Sequence, residues 1–353
     1  MEEGKLPISK LEKILQFKGF ENEGIVLAGE VGGDAAVIDL DKAKMRVKEF
    51  YNSDSEVMLV EKSDPITFPT PEPGRYAVIV NANDIACSGA KPYGFLATII
   101  VPPGTSFDRI SDIQKQIHEQ CYDLEISVLG GHTEISNAVR TCVVSGHMLG
   151  FVPSDFAVPS ELKVKEKIVV VGQVGAEGIG IILAEAGKII QDVLSEEETK
   201  QGSKMGKLLC VAELALEINK KFKPSLIHDA TEGGIYGSLT EIVAYRKFGI
   251  ELDKKPSISS ILQKIAVWLD FNPYRIISSG VLVICIDEAK IKELGAFLLN
   301  LEIPFDVVGS VIEEKGIVKL DGEILEKSKG DQIIVALEKL ERMKIAERNK
   351  NKG

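Results

Sequence analysis

The strongest limit on how this chain folds comes from residues 227–237, IHDATEGGIYG, where an apolar stretch leads into acidic and hydroxyl residues and then a glycine pair. The apolar spacing through Ile235, Leu239 and Val243 predicts a helix that begins at the glycines. N–H groups at a helix start attract an anion, whereas Asp229 would repel one unless a divalent cation lay between them. The run therefore predicts either a metal–phosphate site or a plain strand–turn–helix connection with a capping side chain.

Four other segments place glycine or serine beside Asp, Asn, Thr or Glu between apolar, strand-like runs. They are GGDAAV (32–37), KSDP (62–65), NANDIACSGAKP (81–92) and LGGHTE (129–134). In order and spacing, the five segments resemble the PurM-like superfamily of aminoimidazole ribonucleotide (AIR) synthase. That superfamily includes the hydrogenase-maturation protein HypE and thiamine-monophosphate kinase, and the HypE-like, AIR synthase-related proteins are the nearest in pattern. The resemblance extends from about Gly32 to Gly309.

The alternation of strand and helix patterns along the 353 residues predicts an α/β or α+β fold in both halves. The resemblance implies an N-terminal domain at 1–152 that binds ATP and Mg²⁺, and a C-terminal α/β domain at 153–330. A helix and tail at 331–353 would follow. The resemblance also implies that N-terminal domains pair, so we expect a homodimer.

Local patterns give further expectations about the regular elements. A strand over 56–61 is expected to be closed by Asp64-Pro65, since proline lacks the N–H that a sheet uses. The Gly-Gly-His-Thr-Glu segment is expected to be a loop after a strand at 128–130. Charged residues 195–201 are expected to form an irregular surface segment ahead of one helix over 203–221.

Four aspartates are the candidate metal ligands: Asp34, Asp64, Asp84 and Asp229. By local pattern alone, these residues also fit turns or a helix surface. The resemblance implies that they hold Mg²⁺ for ATP, because Mg²⁺ is bound by few carboxylates together with water and phosphate oxygens. Relatives often carry GDDAAV where this chain has GGDAAV, so Gly33 stands in place of one acid.

The resemblance also implies a set of nucleotide contacts. They are Asn83, Lys91, Gly130, Gly131, Thr133, Thr231, Gly233 and Gly234. The two glycine pairs predict backbone nests for phosphate, and Lys91 fits either a phosphate contact or a solvated lysine. Thr133, His132 and Glu134 are the candidate catalytic residues, with Thr133 positioning phosphate. His132 fits a general base or an ordinary loop histidine, and Glu134 fits a base or a metal ligand.

Two departures separate this chain from HypE. Relatives show Asp-Pro-Thr-Arg-Gly-Gly where this chain has Asp-Ala-Thr-Glu-Gly-Gly, so Glu232 reverses the charge of an arginine that pairs anions. HypE carries its carbamoyl group on a C-terminal cysteine, whereas the last cysteine here is Cys285. We therefore expect a substrate other than that of HypE. Selenophosphate synthetase is also disfavoured, since residues 1–30 contain no cysteine.

The resemblance implies an enzyme that uses ATP and Mg²⁺ to activate an amide-like or small phosphorylated substrate by phosphoryl transfer. A second hypothesis is a kinase like thiamine-monophosphate kinase, which releases a stable phosphorylated product. A third is a nucleotide-binding partner protein with little turnover, which suits Gly33 and Glu232. A maturation partner that supplies the substrate is compatible with the HypE-like pattern. The sequence identifies neither the substrate nor any hydrogenase.

Composition limits the remaining classes of partner. The net charge of −11, from 53 acidic and 42 basic residues, disfavours non-specific nucleic-acid binding. The five cysteines lack C-x-x-C spacing, which predicts free thiols rather than a disulfide framework or a zinc cluster. No apolar run approaches the roughly 18 residues of a membrane span, and the polar, acidic start lacks a signal-peptide pattern. We therefore expect a cytoplasmic protein with no membrane contact.

Overall fold

The computed structural model describes residues 3–68, 70–327 and 330–350, with side chains described as far as residue 346. The chain divides into two compact units, residues 1–157 and 158–353. Both units combine helices with strands, which confirms the predicted α/β class. Within the described ranges, no helix combines the length and the apolar character needed to span a membrane.

The first unit is built around a five-stranded sheet. The strands of the whole unit are β1 (Gly4–Lys5), β2 (Ile25–Leu27), β3 (Val37–Ile38), β4 (Val57–Ile66), β5 (Lys91–Val101), β6 (Ser127–Ile135) and β7 (Val143–Pro153). Its helices are α1 (Ile8–Ile14), α2 (Leu40–Tyr51), α3 (Pro73–Cys87) and α4 (Phe107–Asp123). The sheet order is β1-β6-β5-β7-β4, with β5 and β6 parallel and the other pairs antiparallel, while β2 and β3 form a separate ribbon.

Helices α3 and α4 cover one face of this sheet. Helix α3 packs on β4 and β7, and α4 packs on α3 and β6. The apolar spacing of α4 explains its position, because Ile110, Ile113 and Ile117 recur on one face and are fully buried. The side chain of Ser106 caps this helix by accepting a hydrogen bond from the Arg109 N–H.

The second unit holds a seven-stranded sheet. Its strands are β8 (Lys167–Val171), β9 (Leu226–Asp229), β10 (Gly249–Leu252), β11 (Leu282–Ile286), β12 (Phe305–Ile312), β13 (Val318–Leu320) and β14 (Glu323–Ile324). Its helices are α5 (Ala176–Ala186), α6 (Glu196–Met205), α7 (Ala212–Phe222), α8 (Gly234–Val243), α9 (Ser260–Trp268), α10 (Ile291–Asn300) and α11 (Gln332–Lys350). The strand order is β14-β13-β10-β12-β8-β11-β9. The helix predicted after the glycine pair is α8, and its apolar face is buried.

Two predictions about strand ends are wrong. Strand β4 continues through Asp64-Pro65 to Ile66. Proline is tolerated there because β4 is the edge of the sheet, so one side of the strand needs no N–H donor. The Gly-Gly-His-Thr-Glu segment is likewise not a loop but the second half of β6. A register shift against β5 at Phe95/Leu96 lets the glycines enter the strand.

The prediction of a single helix over 203–221 is also wrong. Helix α6 begins earlier, at Glu196, and a separate helix α7 begins at Ala212. Ser195 and Glu198 form a capping box in which each side chain accepts a hydrogen bond from the other residue's backbone N–H. This local cap makes a helix of the charged segment that the composition alone had suggested was irregular.

Candidate functional site

The predicted site residues are divided between the two units. In the first unit, the Lys62 ammonium lies between two of the predicted metal ligands, 2.9 Å from Asp84 Oδ2 and 3.8 Å from Asp64 Oδ2. Lys62 and Asp64 share a face of β4 because strand residues two apart point the same way. Asp84 comes from α3, which packs on that face. The two carboxylates and the lysine, called here the Lys62 triad, are therefore one ion-pair group.

Asn81 of α3 supports this group from the protein interior. Asn81 Nδ2 donates hydrogen bonds to the backbone carbonyl oxygens of Asp64, at 3.0 Å, and Ala77, at 2.8 Å. The bond to Asp64 ties α3 to β4 beside the carboxylates, and the bond to Ala77 lies within α3. Asn83 is fully buried, and its expected contact with a nucleotide stays a prediction.

The electrostatics of the triad are those of a partly desolvated pair of acids. The pKa of Asp64 is raised above its ordinary value. Burial is the largest cause, the Lys62 charge lowers this pKa, and the Asp84 charge raises it. In neither unit do the described residues bring together three or more His, Cys, Asp or Glu side chains that could hold a metal. The expected aspartates thus supply the oxygen ligands that Mg²⁺ prefers, but not a complete coordination shell.

The glycine pair of β6 lies in the same row of the sheet as Asp64. Register places Asp64 beside Gly146 of β7, Gly146 beside Ala97 of β5, and Ala97 beside Gly131. Three strand spacings separate the ends of this row, or roughly 14 Å. Gly131 has a φ of 148°, and an added Cβ would lie 1.9 Å from the Ala97 carbonyl oxygen. Only glycine fits at this position.

The sheet divides the candidate catalytic residues between its faces. Thr133 lies two residues beyond Gly131, pairs with the buried Ile99, and is itself buried on the face that α3 and α4 cover. His132 and Glu134 alternate onto the opposite face, where His132 Nε2 lies 3.3 Å from Glu134 Oε2. The structure therefore places Thr133 on the face of Asp64, and the two candidate bases on the other.

The loop that carries Asp34 begins beside the β6 glycines. The Gly29 N–H donates a hydrogen bond of 2.8 Å to the Leu129 carbonyl oxygen. A Cβ on Gly29 would lie 2.9 Å from the Gly130 Cα, so these two backbone segments approach as closely as glycine allows. Asp34 itself is exposed, farther along this loop.

Lys91 lies at the opposite end of the sheet from Thr133. It begins β5, whereas Thr133 pairs with Ile99 eight residues along, or roughly 26 Å at the strand rise. The Lys91 ammonium donates a 2.7 Å hydrogen bond to Glu125 Oε2 and sits 4.7 Å from the Phe50 ring centroid. The structure thus gives Lys91 a structural ion pair at the far end of the sheet from Thr133.

In the second unit, strand β9 delivers Asp229 to the turn before α8. Asp229 is buried, and its carbonyl oxygen lies 2.6 Å from His228 Nδ1. The carbonyl oxygen of Thr231 accepts hydrogen bonds from the N–H groups of Gly234, at 3.1 Å, and Ser278, at 3.2 Å. The turn is therefore held by its own backbone and by the segment ahead of β11.

The N–H groups of the second glycine pair already have acceptors. Gly233 donates to Asp331 Oδ2 at 2.7 Å, and Gly234 donates to Thr231. The Asp331 carboxylate also accepts from the N–H groups of Ile277 and Ile333. The phosphate nest expected at Gly233 and Gly234 is thus occupied by an internal carboxylate, which satisfies the same helix-start N–H that an anion would.

A second acid lies near this turn. Glu177, in the first turn of α5, accepts a hydrogen bond of 3.3 Å from the Ser279 N–H. Burial raises the pKa of Glu177, and the negative charges of Asp331 and Glu232 raise it further. The charges of Asp331 and Glu232, from two other segments, therefore act on Glu177 in this unit.

Sequence reasoning missed Lys62, Glu177 and Asp331. A signal existed for the first two: Lys62 is two residues from Asp64 in a strand pattern, and Glu177 lies in the glycine-rich segment GAEG before a helix. Nothing in the sequence pairs Asp331 with Gly233, because 98 residues separate them.

Family models match both halves of the chain. Residues 32–152 match the N-terminal domain of the AIR synthase related protein family, and residues 163–321 match its C-terminal domain. The chain belongs to the AIR synthase/HypE superfamily. The family resemblance predicted from the motif order is thereby confirmed.

Individual relatives are distant. A Methanocaldococcus jannaschii protein named for hydrogenase expression and formation is 29% identical over 225 residues, 63% of this chain and 64% of that protein. Thiamine-monophosphate kinase of Pyrococcus abyssi is 25% identical over 305 residues, 84% and 87% of the two chains. The carbamoyl dehydratase HypE of Escherichia coli is 22% identical over 277 residues, 76% and 77%.

Solved structures share the fold. A crystal structure of E. coli HypE superposes with a TM-score of 0.74 at 18% identity, covering 91% of this chain and 97% of that one. A HypE structure solved in complex with ATP superposes with a TM-score of 0.65 at 18% identity, covering 86% and 90%. These similarities confirm the predicted two-domain AIR synthase fold.

Proposed function

We propose that this protein is an ATP- and Mg²⁺-dependent enzyme that activates an amide-like or small phosphorylated substrate by phosphoryl transfer. The observation that carries the proposal is the Asp64–Asp84 carboxylate pair, held by Lys62 on the fold of a HypE solved with ATP. Paired carboxylates beside a cation are suited to phosphoryl groups whose charge a metal shares.

The four aspartates and the β6 segment have separate parts in this proposal. Asp34, Asp64 and Asp84 of the first unit, and Asp229 of the second, would each hold Mg²⁺ together with phosphate oxygens and water, since the described residues of neither unit complete a shell of protein ligands. Bound Mg²⁺ would offset charge on the phosphoryl group. We assign phosphate contact to the β6 backbone at Gly130 and Gly131 and to the Thr133 hydroxyl.

Assignments to the other expected residues differ in their support. We retain Thr231 as a contact, but give Gly233 and Gly234 no direct phosphate contact while Asp331 occupies the Gly233 N–H. His132 and Glu134 stay predictions as bases, for a substrate bound on their face of the sheet. The expected homodimer also stays a proposal. It is supported by the half-exposed face of the first sheet, where Leu59 is 52% exposed, and light scattering would test it through the mass in solution.

A kinase is the second candidate. It is favoured by the Pyrococcus abyssi thiamine-monophosphate kinase, whose similarity covers 84% of this chain. The two candidates differ in product. Amide activation passes the γ-phosphoryl group to an oxygen that then leaves as free phosphate, whereas a kinase leaves it on the product.

Phosphorus NMR of ATP turnover separates these outcomes. The protein would be incubated with Mg²⁺, ATP and, in parallel, thiamine monophosphate or a panel of carbamoyl and carboxamide compounds. ADP and free phosphate formed only with an amide would support the proposal. Formation of thiamine diphosphate would support the kinase in place of the proposed amide-activating enzyme. Tight ATP binding without ADP formation in any mixture would replace it with a nucleotide-binding partner protein.

A further inference from the structure

The Lys62 triad contains a cation of its own. The Lys62 ammonium lies 2.9 Å from Asp84 Oδ2 and 3.8 Å from Asp64 Oδ2, which is ion-pair distance for both carboxylates. A metal bridging these acids would have to lie where the ammonium now lies. The ammonium would also repel a divalent ion a few ångströms away.

The geometry around Lys62 favours a fixed rather than an incidental pair. The lysine is on β4, which the hydrogen bond from Asn81 to the Asp64 carbonyl oxygen ties to α3, and α3 carries Asp84. Both backbones are therefore held in place, and the Lys62 side chain, 39% exposed, is only partly solvated. Exposed single pairs contribute little, but here one ammonium serves two acids.

The charge at the Asp64–Asp84 pair is consistent with Lys62 as its cation in place of a divalent ion. The described residues of the unit offer no third acidic ligand to the pair. An ammonium with a single positive charge thus leaves the pair with one net negative charge. That residual charge is a weaker attraction for a free divalent ion than two bare carboxylates.

We propose that Lys62 is the resident cation of the Asp64–Asp84 pair and excludes a divalent cation from it in the nucleotide-free protein. The inference rests on the proposed function for its biological setting, but it concerns the free protein and can be tested without ATP. Lys62 is then a positioning residue that fixes two carboxylates before nucleotide arrives.

The test is Mn²⁺ binding to the nucleotide-free protein, followed by loss of the free-ion EPR signal, with Mg²⁺ as competitor. We expect the unaltered protein and its Asp84→Asn variant to bind Mn²⁺ alike. Lys62→Met should bind Mn²⁺ about tenfold more tightly, or better, than the unaltered protein does. Adding Asp64→Asn to Lys62→Met should remove this gain. Lys62→Arg, which keeps the charge, should gain none.

Lys254→Met is the matched control. Lys254 pairs with a single carboxylate, Asp306, at 2.6 Å, so its loss should create no site. Mn²⁺ bound by the unaltered protein and lost in Asp84→Asn would overturn the inference, and this result needs no lysine variant to fold. No gain of Mn²⁺ in a Lys62→Met or Lys62→Thr protein with unchanged melting would overturn it too.

The outcomes also separate this inference from the proposed function. If Lys62→Met gains an Mn²⁺ site but the unaltered protein does not bind ATP, Lys62 is the resident cation and the proposed ATP-dependent function is rejected. Mg²⁺-dependent ATP binding in a protein whose Lys62→Met variant gains no Mn²⁺ would do the reverse.

Discussion

At the scale of single residues, the chain supplies its own counter-charges at two predicted ligand positions. Lys62 lies between the expected metal ligands, and the Asp331 carboxylate accepts the N–H of Gly233 at the expected phosphate nest. Sequence patterns predicted the aspartates and glycines at these two positions, and their ligand contacts stay predictions. The patterns could not predict the internal partner, because such a partner is brought close by folding rather than by sequence neighbourhood.

Gly131→Ala should destabilise the first unit. Its Cβ would lie 1.9 Å from the Ala97 carbonyl oxygen, at a φ that L-residues rarely adopt. We expect a loss of about 3 kcal/mol in the free energy of unfolding, measured by urea titration. Gly104→Ala is the matched control, since Gly104 has a φ of 88° but no atom within 4 Å; its loss should be about 1 kcal/mol. Equal losses would contradict a steric requirement at Gly131.

Glu177→Gln should make the second unit more stable at neutral pH. The folded-state pKa of Glu177 is raised, so its carboxylate form is disfavoured by folding while its protonated form is not. Glutamine keeps an acceptor for the Ser279 N–H. The advantage of the variant should therefore shrink as the pH falls through the folded-state pKa towards 4.5, the ordinary value. Urea unfolding of both proteins across this range measures it, and a pH-independent difference would refute the account.

At the scale of elements, periodic helices were predictable and irregular strands were not. The burial of Ile110, Ile113 and Ile117 in α4 follows directly from their spacing. Strand β4 kept its proline because it became an edge, and β6 absorbed its glycines because it shifted register against β5. Edge position and register are properties of the assembled sheet. They are therefore absent from any local pattern.

Helix α6 gives an element-scale prediction. The Ser195 side chain accepts a hydrogen bond from the Glu198 N–H and completes the capping box. Ser195→Ala should lower the free energy of unfolding by about 1 kcal/mol. Ser203→Ala is the control in the same helix, because the Ser203 hydroxyl only donates to the Thr199 carbonyl oxygen. A loss in Ser203→Ala as large as that in Ser195→Ala would show that the cap is not the cause.

At the scale of the whole molecule, the order of five short motifs predicted the family and the two-domain fold, and the family models confirm both. Two of the motifs lie inside strands β4 and β6, and the other three lie where a strand meets a loop or helix, so their order marks fixed places along the fold. The chemistry follows less directly. Gly33 and Glu232, the ion pairs of Lys62 and the hydrogen bonds of Asp331 do not follow from the order of the motifs.

The most direct test of the central claim is calorimetry of ATP binding with and without Mg²⁺, on the unaltered protein and on Asp64→Asn and Asp229→Asn. The control is Asp112→Asn, which alters an exposed acid paired with Arg109 on α4. We predict binding that requires Mg²⁺, weakens about tenfold or more in both site variants, and is unchanged in the control. Absence of ATP binding to the unaltered protein would contradict the account.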